Sequence, residues 1–157
     1  MKSYVVDSSV VAKWLLPEPE SERARLLIKT GHYLRAPDLL MPEFASILLK
    51  RIVRKEITAQ ECRGLLGRFL NEYLDIRVRV IPSRLLAAKA LEIARIEGRS
   101  IYDSLYLALA VQAKCQLITA DEKLVKGVRD KELKEHLIAL NDPALALESS
   151  PKNHSQT

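Results

Sequence analysis

Cysteine, glycine and histidine are all scarce in this chain. Two cysteines and five glycines occur in 157 residues. Cys62 and Cys115 lie in helix-like segments and lack metal-type spacing, so buried free thiols in a reducing compartment are expected. No Gly-rich phosphate loop is present. His32, His136 and His154 stand far apart, which offers zinc no clustered ligands. No apolar run approaches the roughly 20 residues of a membrane span. The run after Lys2 is broken by Asp7 within a few residues, unlike a secretory leader. A cytoplasmic protein without membrane contact is expected.

What is there is ordinary in amount and informative in order. The chain is 48% hydrophobic and 29% charged, as soluble globular proteins are. Its length fits one domain with a real core. The net charge of +5 permits a polyanionic partner but also suits a plain solvated surface. No internal repeat and no second domain is visible.

Residues 100–114, SIYDSLYLALAVQAK, are apolar on nearly every side through Tyr102, Leu105, Tyr106, Leu107, Leu109, Ala110 and Ala113. That predicts a buried helix. Its first turn carries one carboxylate, Asp103. Burying a charge costs several kcal/mol or more unless something pairs with it. Two partners are open: the helix N-terminus, through a capping box with Ser100, or a metal ion shared with other acids.

The rest of the chain alternates. Tyr4-Val5-Val6 reads as a buried strand ending at Asp7, and Asp7-Ser8-Ser9 then starts a helix that runs to Pro17. Residues 19–29 predict a charged helix and 32–36 a strand. Residues 41–55 predict a strong helix with Glu43 in its first turn. Residues 58–73 form another helix, capped by Thr58 with Glu61 three residues on. Residues 76–81 alternate as a strand, and 85–96 predict a helix stopped by Gly98. After the helix at 100–114 come a short strand at 116–119, Asp121, a helical turn at 122–126 and a last strand at 136–140. Residues 141–157, ending in Ser, Pro, Asn and Gln, read as a disordered tail. The domain therefore spans 1–140. Strands alternating with helices argue an α/β fold, a parallel sheet with helices on both faces.

In such sheets, sites form outside the carboxyl ends of the strands. Asp7 and Asp121 fall at strand ends. Glu43 and Asp103 fall in first turns of helices beginning on the same side. Each acid has an ordinary explanation as a cap or a dipole-favoured first-turn residue. Those explanations are independent and do not account for four acids at one rim. Four carboxylates raise one another's pKa, and a hard divalent cation resolves the repulsion. Oxygen-only ligands point to Mg²⁺ or Mn²⁺ rather than zinc.

YVVDSSVVAKW, APDLLMPEFASILL, SIYDSLYLALA and LITADEKL, in this order and spacing, resemble the motifs of the PIN domain, particularly of the VapC-type toxins of prokaryotic toxin–antitoxin pairs. The resemblance covers residues 1–140. It implies a three-layer α/β fold and a metal-dependent endoribonuclease that hydrolyses RNA phosphodiesters. It implies that Asp7, Glu43, Asp103 and Asp121 bind one or two Mg²⁺ or Mn²⁺ ions. Thr119 matches the hydroxyl residue before the last acid, and Ser8 the one after the first. A cognate antitoxin and a homodimer are implied as partners, with the helices at 41–55 and 58–73 as the antitoxin groove.

Lys13, Arg99 and Lys123 lie near the acids in sequence and are the expected RNA phosphate contacts. Arg51, Arg54 and Lys55 read as a solvated helix end, and Trp14 as a packed core or interface residue. Three other readings stay open at this point. They are a catalytically silent PIN-like scaffold, an Asp-nucleophile phosphatase or phospho-acceptor using Asp7, and a deoxyribonuclease of the same chemistry.

Overall fold

A computed structural model describes residues 1–147. β1 (Ser3–Val6) lies at the centre of a five-stranded sheet. Tyr4, Val5 and Val6 are all buried, so the strand shows no polar alternation and is covered on both faces. Its neighbours are β2 (Tyr33–Pro37) on one side and β4 (Gln116–Thr119) on the other. β3 (Val78–Ile81) extends the first side and β5 (Leu137–Ala139) the second, giving the order β3-β2-β1-β4-β5 with every pairing parallel.

Parallel neighbours need crossovers, and helices supply them. α1 (Ser8–Leu15) and α2 (Ser21–Lys29) lead from β1 to β2. α3 (Leu40–Val53) and α4 (Ala59–Arg68) lead on to β3. α5 (Ala87–Glu97) and α6 (Ile101–Gln112) return across the sheet to β4, and α7 (Glu122–Gly127) and α8 (Lys131–Glu135) lead to β5. Since the direction reverses after β3, right-handed crossovers place the first four helices on one face and the last four on the other. The order switches at β1, which opens a crevice at the carboxyl ends of β1 and β4.

α6 is the buried helix its composition requires. Ser104 through Ala110 are all buried, and the helix packs on β1, β2, β4 and α5. Its first turn departs from the expectation. Tyr102 is 57% exposed, because that turn projects past the sheet edge toward the rim. Trp14 is a core residue, stacked on Tyr73 at 5.7 Å with its indole N–H donating to the Ala24 carbonyl at 2.8 Å.

Other boundaries shift for local reasons. The expected strand at 76–81 begins only at Val78, since Asp75 takes a left-handed φ of 58° and closes a turn onto the Val78 carbonyl. The helix expected over 58–73 has its Thr58–Glu61 capping box, but changes to a π-helical turn at Phe69–Tyr73. The tail assignment from 141 onward needs correction. Leu145 and Leu147 are buried, and the Arg23 guanidinium donates to the carbonyls of Leu140, Asp142 and Leu145. The first part of the supposed tail is thus packed against α2, and residues 148–157 lie outside the described residues. Among the described residues, no helix is long and apolar enough to cross a membrane.

Candidate active site

Asp7 follows β1 directly and serves as the N-cap of α1. Its Oδ1 accepts the backbone N–H groups of Ser9 at 3.0 Å and Val10 at 3.2 Å, and also the Ser9 hydroxyl. Its Oδ2 accepts the hydroxyl of Thr119, the last residue of β4. The Thr119 oxygen in turn accepts the Asp121 N–H at 3.0 Å, and the Ser9 oxygen accepts the Ala120 N–H at 3.0 Å. The two strand ends are thereby laced together around one carboxylate. Burial pushes the Asp7 carboxyl up to about 6, against the downward pull of its hydrogen bonds, and the nearby Glu43 adds to the rise.

Glu43 occupies the first turn of α3 and is half-buried. The Tyr106 hydroxyl of α6 donates to it at 2.6 Å. Burial raises its pKa, the Tyr106 hydrogen bond opposes, and Asp103 adds to the rise. Asp103 sits in the first turn of α6, where the Ser100 hydroxyl accepts its N–H at 3.1 Å. Only that half of a capping box forms. The carboxylate turns instead toward Arg99, whose Nη1 stands 3.8 Å away. Burial and then Asp121 raise the Asp103 pKa, against the opposing pull of Arg99. Asp121 caps α7, its Oδ1 accepting the N–H groups of Lys123 at 2.9 Å and Leu124 at 3.2 Å.

Asp7 therefore feels Glu43, Glu43 feels Asp103, and Asp103 feels Asp121. Four acids from four separate elements meet at the carboxyl edge of the sheet. Each also keeps its ordinary local role, so cap and site are the same residues seen twice. Among the described residues, no three His, Cys, Asp or Glu side chains stand as a ready-made metal cage. Their oxygens are turned to Ser9, Thr119, Tyr106 and helix N–H groups. The donor set is nonetheless all oxygen, and neighbouring carboxylates that repel one another gain from a hard cation. The residues fit Mg²⁺ or Mn²⁺.

The expected phosphate contacts divide. Lys123 is exposed in the first turn of α7, beside Asp121. Arg99 is largely enclosed, its side chain 16% exposed. Lys13 is not at the rim surface: it is buried, with Nζ donating to the Pro19 carbonyl at 2.9 Å and to Glu18 at 3.4 Å, where it pins the loop after α1. Two contributors escaped the sequence reading. Ser9 rather than Ser8 holds Asp7. Tyr106 was read as core, yet a buried tyrosine hydroxyl needs a partner, and its place three residues after Asp103 on one helix face signals the rim.

Comparison with known proteins places the chain in a family. The PIN domain family matches residues 4–129. The "Ribonuclease VapC3" of Pyrobaculum aerophilum is 30% identical over 122 residues, covering 78% of this chain and 92% of that protein. The crystal structure of Mycobacterium tuberculosis VapC20, described as a sarcin-ricin loop cleaving toxin, superposes with a TM-score of 0.59 at 18% identity, covering 81% of this chain and 99% of the other. VapBC2 of Rickettsia felis, solved bound to a DNA fragment from their promoter, gives 0.57 at 13% identity, covering 87% and 98%. At those identities the two structures speak for the fold, and the sequence matches speak for descent. This chain belongs to the PIN domain family.

Proposed function

We propose that this protein is a Mg²⁺- or Mn²⁺-dependent endoribonuclease, the toxin of a VapC-type toxin–antitoxin pair. The observation that carries the reading is the meeting of Asp7, Glu43, Asp103 and Asp121 at the β1–β4 crevice, in a chain 30% identical to a named ribonuclease. Asp7 and Asp103 would hold the ion, with Glu43 beside them and Asp121 taking part directly or through water. One or two such ions, when bound, lower the pKa of water toward neutrality and offset charge on phosphate oxygens.

The protein's own groups do the positioning. Thr119 and Ser9 fix both oxygens of Asp7, and Tyr106 fixes Glu43. Preset carboxylates need no reorganisation when substrate arrives. The positive net charge draws RNA phosphates to an acidic notch that the cation makes hospitable. Lys123 is the phosphate contact best exposed to serve. Water as nucleophile makes the RNA 2′-hydroxyl unnecessary.

Partners follow the same reading. Leu49 and Val53 on α3 and Leu70 beyond α4 are 59%, 73% and 42% exposed, an apolar surface suited to an antitoxin segment. The VapBC2 likeness supports such a partner. A homodimer and a cytoplasmic location complete the proposal.

Induced expression of the wild type and of Asp103→Asn, with mapping of RNA ends, tests it. The wild type should arrest growth and leave 5′-phosphate and 3′-hydroxyl ends, and the variant should do neither. Equal arrest by both, or 2′,3′-cyclic phosphate ends, would refute the mechanism.

A further inference from the structure

Arg99 is an odd residue to find where it is. Its side chain is 16% exposed, and its Nε is buried with no hydrogen-bond partner among the described residues. An enclosed guanidinium with an unmet donor is costly, so its position serves something besides its own solvation. It touches two elements. Nη1 faces the Asp103 carboxylate of α6 at 3.8 Å, and Nη2 donates to the Lys123 carbonyl of α7 at 3.3 Å.

A third contact explains a glycine. A Cβ built on Gly127, the last residue of α7, would stand 1.7 Å from the Arg99 Nη2. The backbone of Gly127 is not left-handed, unlike Gly98, which ends α5 at φ 64°. Conformation therefore does not require glycine at 127, but any Cβ there would displace the guanidinium from this position. Arg99 lies flat across α7, from the carbonyl of its first turn to its last residue.

We infer that Arg99, seated on Gly127, is a positioning residue that fixes the separation of Asp103 and Asp121 and so presets the cation site. Asp103 lies in the first turn of α6 and Asp121 caps α7, and Arg99 reaches from the Asp103 carboxylate to the Lys123 carbonyl, two residues after Asp121. The inference rests on the metal-dependent reading above and names residues beyond the four acids. It also reassigns Arg99: a guanidinium turned to Asp103 and packed on a glycine is a strut between helices, rather than a free hand for phosphate.

Charge and geometry predict opposite signs here, which makes the role testable. Were Arg99 only a positive charge beside the acids, removing it would relieve repulsion and strengthen cation binding. As a strut, its loss weakens binding, by about tenfold on the scale of groups that orient metal ligands. The experiment is calorimetric titration of Mn²⁺ into the full-length wild type, Arg99→Gln, Gly127→Ala and Asp103→Asn, with thermal melting and circular dichroism as the check on folding.

Gly127→Ala is the decisive variant, since it keeps every charge and displaces only the guanidinium. Arg99→Gln and Gly127→Ala should each bind Mn²⁺ about tenfold more weakly than the wild type while keeping native spectra. Tighter binding by Arg99→Gln, or unchanged binding by Gly127→Ala, would overturn the strut. A wild type that binds no Mn²⁺ would overturn the metal reading itself and the strut with it. The Asp103→Asn titration separates these outcomes, as it loses binding only if the acids form the site.

Discussion

Asp7 is held in a state that favours function over stability, and replacing it should make the metal-free protein more stable. The carboxyl is buried and its pKa is raised from 3.8 to about 6. A raised folded-state pKa means that the fold binds the proton more tightly than the unfolded chain does. The stabilisation from that proton is complete below pH 3.8 and disappears as the pH rises through about 6. At pH 7.5 the ionised Asp7 therefore costs the fold up to about 3 kcal/mol, from a shift near two units at 1.36 kcal/mol each. Asn at this position still accepts from the Ser9 and Val10 N–H groups. It gives up the Thr119 hydroxyl as donor, a loss of about 1 kcal/mol.

Asp7→Asn should then be more stable than the wild type by about 2 kcal/mol at pH 7.5, or roughly 5 °C in melting temperature. The advantage should shrink as the pH falls and vanish at about pH 4.5. Mn²⁺ should reverse the order, because saturation to 100 times Kd adds about 2.7 kcal/mol to the wild type and nothing to a variant that cannot bind. Differential scanning calorimetry over this pH range, with chelator and with Mn²⁺, gives the comparison. An Asp7→Asn protein less stable than wild type at pH 7.5 in chelator would refute the view that this carboxylate is strained by burial.

Further perturbations address the surroundings. Tyr106→Phe should keep the core, lose about 1 kcal/mol of stability to the unpartnered Glu43, and lower the RNA cleavage rate, as read by urea denaturation and a cleavage time course. Tyr106→Asp should fail to fold, since it places a charge beneath α6, and circular dichroism will show it. Ending the chain after Leu140 should cost several kcal/mol by exposing the surface under Leu145 and Leu147 and freeing Arg23, measurable by chemical denaturation. Leu49→Asp with Val53→Asp should leave RNA cleavage intact while weakening capture by the cognate antitoxin in a pull-down.

The parts of the fold legible in the sequence are those with strong local signals. The apolar triplet ending at Asp7 forces a buried strand, and Asp-Ser-Ser forces the helix that follows. Thr58 and Glu61 announce their capping box. Long-range partners were harder to see. Thr119 meets Asp7 across 112 positions, and residue periodicity alone carries no sign of that distance. Lys13 looked available because it is a lysine near an acid, yet its stem is long enough to turn inward to Glu18 and Pro19. At 141–147 the polar residues that follow hid the alternation of Leu145 and Leu147, which fits a packed extended segment. Arg99 gave the least warning, since its role depends on an absent side chain at residue 127.

The lacing of β1 to β4 also has a consequence in time. Asp7 is among the first residues made, but its partner Thr119 comes more than a hundred residues later. One edge of β1 stays unpaired until β4 emerges. At translation rates of about 5–20 residues per second, that interval is on the order of ten seconds. A nascent or prematurely ended chain that stops before β4 holds Asp7, Glu43 and even Asp103 without the rim that gathers them. The four acids can therefore be gathered at one rim only when nearly all of the chain through β4 has been made.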